Sequence, residues 1–228
     1  MANTLFLRLE GPLQSWGERG RWSVRDSAPE PTKSGVVGLL ACARGHSRDA
    51  DVRALSEALR MGVRVDRPGV RLTDYHTIGG GYDAPALLTA EGKPKKSSGG
   101  PHTELSWRDY LADASFLAAL QGEATLIDDL AAALADPVWV IFLGRKSCPP
   151  ARPVFAGMGD YPDLEAALRQ YDWPTGRGGA RNEGLRAVIE SAPDAGATLR
   201  RDHLTSRRYR QYGPRYTRAI YLHPEEVE

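Results

Sequence analysis

The chain has 228 residues, 41% of them apolar and 26% charged, with a net charge of +1. Such a balance is ordinary for a soluble globular protein, and the length suits one generous domain, or one with a small appendage, whose core needs no covalent staples. The near-zero net charge excludes a uniformly basic nucleic-acid binder, so binding of that kind must rest on where charges cluster.

Two cysteines, Cys42 and Cys148, without a CxxC pattern, exclude a disulfide framework and point to a reduced, cytoplasmic setting. The five histidines show no metal-ligand spacing, so no metal and no cofactor is expected. The opening stretch MANTLFLRLEGP has no basic leader and does not read as a signal peptide. No apolar run approaches the ~18 residues of a membrane span, so no membrane partner is expected.

In chain order, TLFLRLEG (4–11) alternates, with Leu5, Leu7 and Leu9 on one side and Phe6 and Arg8 on the other, which predicts a strand closed by Gly11 and Pro12. Residues 12–30 are irregular and rich in Arg, Trp and Gly. A helix follows, capped by Thr32 or Ser34, with a body over 36–43 and a stop at Gly45. It is apolar all round and should be buried on most sides. Gly35 and Gly38 lie one turn apart, each costing ~1 kcal/mol against Ala, which is tolerable where another backbone must come close. Residues 51–62 predict an amphipathic helix ended by Gly62, and 63–65 and 70–78 predict strands.

Residues 79–104 break every pattern with Gly, Pro, Ser and lysines, as a functional or disordered excursion or a protruding β-ribbon would. Residues 107–120 admit either a helix by composition or a strand by a period of two. Residues 123–137 predict a helix stopped by Pro137, and VWVIFLG (138–144) a buried strand. With 107–120 as a strand the order is βαββαβ, the ferredoxin-like arrangement used by RNA-recognition modules and by many unrelated proteins. Beyond a boundary near 145–160, residues 185–191, 197–204 and 216–222 predict a small antiparallel sheet.

Several segments invite chemistry. PTKSG (31–35) is not a phosphate-binding P-loop, because Thr32, not glycine, precedes Lys33 and no upstream glycine stands at the required spacing. A helix start flanked by two hydroxyls and an ammonium is still a good anion seat, the alternative being that a hydroxyl only caps the helix and Lys33 is solvated. GPLQSWGERGRWSVRDS (11–27) interleaves Trp16 and Trp22 with Arg19, Arg21 and Arg25, types that stack on unpaired bases and hold phosphates, or else cover a core edge. Tyr75 and His76 in DYHT (74–77) are types that serve metal-free RNA cleavage, the alternative being a structural histidine. GRKSCP (144–149) is a basic turn, and 200–218 is the strongest charge cluster, with seven arginines and three tyrosines. Acids collect instead in 123–136 and 159–172. That partition fits a neutral protein with one RNA-facing surface.

LRLEGPLQSWG, PTKSGVVGLLACARG, DYHT, WRDYLADASF and LGRKSCP, in this order, resemble the CasD subunit family of the type I-E CRISPR Cascade complex, over about residues 4–156. The resemblance implies an α+β chain with a modified ferredoxin-like/RRM fold of the RAMP type. It would form an RNA-binding domain over 1–150, with a protruding thumb hairpin at about 79–106, and a small C-terminal antiparallel β region over 151–228. Residues 107–120 should then be strand. It implies a non-catalytic subunit that holds the 5′ handle of CRISPR RNA, caps a backbone of CasC subunits and contacts the large subunit, with target DNA as a further expected partner. The alternative is a metal-independent endoribonuclease acting on precursor CRISPR RNA, with His76 as base, Tyr75 as orienting group and Lys33 as charge stabiliser. The expected RNA contacts are Gln14, Trp16, Arg25, Lys33, Ser34, Tyr75, His76, Arg108, Gly144, Arg145, Lys146, Ser147 and Cys148, the 144–148 loop contributing backbone groups as well. The arginines at 207–210 lie outside these motifs.

Overall fold

A computed structural model describes all residues except 21–22, 82–84, 175–183, 207 and 225–228. Along the chain run β1 (Thr4–Glu10), β2 (Leu13–Gln14), β3 (Val24–Arg25), α1 (Lys33–Ala43), α2 (Asp49–Ala58), β4 (Arg60–Arg67) and β5 (Val70–Gly79). Then come β6 (Lys96–Ser97), β7 (Gly100–Pro101), β8 (Thr103–Ala112), β9 (Ser115–Gln121), α3 (Ala124–Ala135), β10 (Phe155–Gly159), α4 (Leu164–Gln170), β11 (Leu185–Glu190), β12 (Thr198–Ser206) and β13 (Gln211–Leu222).

The period-two pattern of the first strand decides both faces of the main sheet. Leu5, Leu7 and Leu9 enter a core with α1, α2 and α3, while Phe6 enters a second core with Leu164 and Leu168 of α4. The sheet is antiparallel, in the order β10-β1-β9-β4-β11-β13-β12. Its first four strands reproduce the 4-1-3-2 order of a ferredoxin-like unit. The C-terminal strands do not form a sheet of their own: β11 pairs with β4, through Val188 opposite Val63, and continues the same sheet.

The segment 107–120 is strand, but two strands in two sheets. The chain turns at Asp113, which adopts a left-handed φ of 56°. β8 belongs to a ribbon with β5, in register from Val70 opposite Ala112 to Gly79 opposite Thr103, and β9 belongs to the main sheet. The described residues of the excursion at 79–106 therefore lie at the far end of a ribbon rooted at 70 and 112.

Two expected elements differ. Residues 138–144 are not a strand, and Val138, Trp139 and Val140 are exposed. Their backbone caps α1 instead: the N–H of Val138 donates to the Ala43 carbonyl at 2.9 Å and that of Trp139 to Cys42 at 3.3 Å. Such helix-end carbonyls lack partners within the helix, and the segment supplies them rather than joining a ladder. The fourth strand of the ferredoxin-like unit is β10. Second, α2 stops at Ala58, and Gly62 lies inside β4, where a side chain would press on Leu168 and Ile189.

An RNA-recognition module reads bases on the open face of its sheet. Here α4 covers the corresponding face. Arg64, fully buried, pins it there by donating to the carbonyls of Leu168, Tyr171 and Asp172 at 2.7–3.0 Å, with its guanidinium 5.1 Å from the Trp173 ring. That face is therefore not open in the way a base-reading sheet face is.

Candidate nucleic-acid interface

A cleft of about 1890 Å³ opens along α1. Its sides are the turn at 15–20, the segment 139–146 and the β12–β13 hairpin. Arg19, Arg25, Arg145, Lys146, Arg200, Arg201 and Arg210 line it, against the carboxylates Glu18 and Asp26. Both carboxylates are engaged: Glu18 pairs with Arg200 at 3.3 Å, and Asp26 accepts the backbone N–H groups of Glu18, Arg19 and Gly20. The cleft is cationic because its acids are occupied.

The start of α1 does bind an anion, and the anion is internal. Thr32 caps the helix by accepting the Gly35 N–H at 3.3 Å, while Asp202 accepts the Lys33 N–H at 2.9 Å. Burial would raise the Asp202 carboxyl, but hydrogen bonds from Arg215 at 2.6 and 2.8 Å outweigh it and hold it below its usual range. The Lys33 side chain is 3% exposed, with Nζ 3.1 Å from Glu190. Burial lowers the Lys33 pKa, although Glu190 pulls the other way. Lys33, an expected phosphate contact, thus ties α1 to the C-terminal strands, and only Ser34 of that pair lines the cleft.

Gln14 and Trp16 have a similar place. Gln14 is buried and donates to the Leu9 and Ala114 carbonyls at 2.9 and 2.8 Å, while its Oε1 accepts the Trp16 indole N–H at 3.0 Å. The Trp16 ring, 1% exposed, packs where a side chain on Gly35 would stand. It borders the cleft but has no free face for a base. Trp22 and Arg21, expected as a base-stacking ring and a phosphate-holding guanidinium, lie outside the described residues, as does Arg207.

The loop at 144–148 is tightly shaped. Gly144 has a left-handed φ of 93°, and any side chain there would overlap the Ser15 carbonyl. Leu143 and Cys148 close the loop, with Leu143 N–H donating to the Cys148 carbonyl at 2.8 Å and Cys148 N–H to that of Arg145 at 2.9 Å. Cys148 is buried, and burial raises its thiol pKa, so it fills space rather than reacting. Arg145 braces the loop: its guanidinium donates to the Asp109 and Arg25 carbonyls at 3.1 and 2.9 Å and lies 4.6 Å from the centre of the Tyr110 ring. Among the described residues, no hydrogen bond engages the backbone N–H of Lys146 or Ser147, and the exposed Lys146 ammonium has no ion pair.

On the ribbon, strand alternation separates Tyr75 from His76. Tyr75 lies opposite Trp107, ring centres 5.6 Å apart, both substantially exposed. His76 turns to the other face, its Nδ1 3.3 Å from Asp74, which lies opposite Arg108. Arg108 is half-buried and donates to the Ser106 hydroxyl at 3.2 Å. The triad of the nuclease reading is not assembled, since Lys33 is held by Glu190 and the other two face apart. Arg25 joins the ribbon through β3, parallel to β8 at Arg108.

The family profile described as CRISPR-associated protein (Cas_Cas5) matches residues 4–218. The CRISPR system Cascade subunit CasD of Escherichia coli (strain K12) is 37% identical over 186 residues, covering 75% of this chain and 78% of that one. This chain belongs to the CasD family of type I-E Cascade. A chain of a CRISPR RNA-guided surveillance complex superposes with a TM-score of 0.80 at 31% identity, covering 97% of this chain and 90% of that one. A crystal structure of a Cas protein gives 0.72 at 36%, covering 98% and 97%. In this CasD-family chain the motif reading passed over Trp107, which its alternate-position pairing with Tyr75 picks out, and over Arg201, Tyr209 and Arg210. These last lie in the C-terminal hairpin, where only charge flagged them, and the fold brings them to the same cleft as Ser34 and Lys146.

Proposed function

We propose that this protein is a non-catalytic RNA-binding subunit of a type I-E Cascade, holding the repeat-derived 5′ handle of CRISPR RNA, capping the CasC backbone and contacting the large subunit. The observation that carries the reading is the 144–148 loop at the cationic cleft, in a chain of the CasD family. Its unengaged backbone N–H groups at Lys146 and Ser147, beside a free ammonium, make a small pre-shaped anion cradle. Ser34, Arg25 and Lys146 supply contacts within the cleft. Arg108 and His76 extend the path along one face of the ribbon, and the Tyr75–Trp107 pair offers a stacking surface on the opposite face. Gln14, Trp16, Lys33, Gly144, Arg145 and Cys148 shape that surface from beneath.

A backbone cradle suits a fixed RNA segment, because a rigid loop needs no ordering of long side chains on binding. The test is co-expression with the neighbouring Cascade genes, followed by sequencing of the RNA that co-purifies. Handle-bearing CRISPR RNA is expected, and Lys146→Ala should lower its retention. A purified chain carrying no such RNA, alone or in complex, sinks the reading. Incubation with precursor CRISPR RNA should leave the RNA intact; specific cleavage without metal would overturn the non-catalytic part.

A further inference from the structure

The β12–β13 hairpin supplies a cleft wall that no motif assigned. Arg201 on β12 and Arg210 at the turn are exposed, line the cleft, and have no ion pair among the described residues. Their neighbours are committed elsewhere: Arg200 to Glu18 and Glu30, Arg215 to Asp202, Arg218 to Asp194. The hairpin is itself held in place, because Asp49 of α2 accepts the Ser206 hydroxyl at 2.7 Å and the Arg208 N–H at 3.3 Å. Two unneutralised cations on an anchored hairpin thus share a concavity with Lys146.

The α1 surface between these walls carries an independent sign of an occupant. Gly35 is explained within the chain, since a side chain there would strike the Trp16 ring. Gly38 is not. Among the described residues, a Cβ at Gly38 would meet nothing within 4 Å, and Gly38 lines the cleft. A mid-helix glycine that no described residue requires keeps room beside the backbone at a cost in helix stability.

We propose that Arg201 and Arg210, with Lys146 and the α1 surface at Gly38, form a second RNA-binding wall that grips the sugar-phosphate backbone of an unpaired stretch. The inference rests on the reading that this cleft holds the handle, and adds the wall and the path along α1. Phosphates account for the cations. Exposed Tyr209 and Trp139, which line the same cleft, account for bases in a way that an acidic protein segment does not.

The test uses the full chain and a synthetic RNA of the repeat-derived 5′ handle, titrated over a range of salt. Arg201→Ala with Arg210→Ala should weaken binding about tenfold or more. It should also lower the slope of log affinity on log salt by about 1.4, the share of two single-strand phosphate contacts. Arg53→Ala with Arg152→Ala, equal in charge loss but outside the cleft, should leave the slope unchanged. Gly38→Leu fills empty space, so the RNA-free melting temperature should hold or rise while binding weakens about tenfold. If the native chain binds but the hairpin pair and Gly38→Leu leave affinity and slope as they were, the wall is refuted and the function stands. Loss of Cascade assembly at unchanged RNA affinity would put a protein in the cleft and equally refutes the wall. If the native chain itself ignores the handle, the functional reading and the wall fall together.

Discussion

Lys33 shows how far a single residue can be read. Its setting, between two hydroxyls at a helix start, forecasts an anion nearby, and there is one, but Asp202 and Glu190 reach it from 169 and 157 residues away. Local sequence has no access to such partners, so the helix start was legible and its ligand was not. Lys33→Ala should cost about 3 kcal/mol in urea unfolding, because it leaves the Glu190 and Asp202 carboxylates with only Arg215 to balance them in a largely buried cluster. Lys33→Met paired with Glu190→Gln should recover most of that, since a packed neutral pair replaces a desolvated ionic one. In both, the salt slope of handle binding should stay native once folded. A Lys33→Ala chain as stable as the native one but poor in RNA binding would return this ammonium to the phosphate. Gly144 makes a sharper case: Gly144→Ala should distort the 143–148 loop and lower both melting temperature and RNA retention, because its φ and the Ser15 carbonyl each forbid a side chain.

At the level of elements, alternation was the dependable signal. It placed β1 on both its faces and, with the family resemblance, settled 107–120 as strand, yet it did not show the chain leaving one sheet for another at Asp113. The apolar run at 138–144 misled because apolarity without a period describes a coil crossing a helix end as well as a buried strand. For α2, the glycine taken as a stop is a strand residue kept small by α4. α4 itself depends on Arg64, whose planar fork meets three carbonyls while Nε pairs with Asp66 at 2.6 Å. An ammonium cannot reproduce that fork. Arg64→Lys should therefore destabilise the chain by about 2–4 kcal/mol, the cost of breaking a buried network. Limited proteolysis should cut first near 160–174. Uncut α4 and native stability in that variant would mean that Leu164 and Leu168 suffice to hold it.

Across the whole molecule, the C-terminal strands are one sheet with the rest, and charge holds the junction where they meet α1 and α2. Its pH response follows from His203, which sits there with Nδ1 3.1 Å from the Ser56 hydroxyl. Burial first, and the positive charge of Lys33 second, lower its pKa from the ordinary 6.5, while Glu190, Glu57 and Asp202 oppose them less strongly. In the unfolded chain this imidazole takes a proton as pH falls through 6.5, whereas in the folded chain it resists until lower pH. The unfolded state then binds more protons, so stability drops with acidification across that interval and is untouched above it. Asp202, whose pKa lies below its ordinary 3.8, adds its own loss only under much stronger acid, so the two steps are separable. Melting temperatures should thus fall between pH 7 and pH 5. His203→Asn, which keeps a hydrogen-bonding partner for Ser56 but cannot titrate, should flatten that fall. An equally steep decline in the variant would shift the cause to other groups and leave His203 a neutral spacer. A flat native profile over the same range would mean that the junction tolerates a charged imidazole, against the burial seen there.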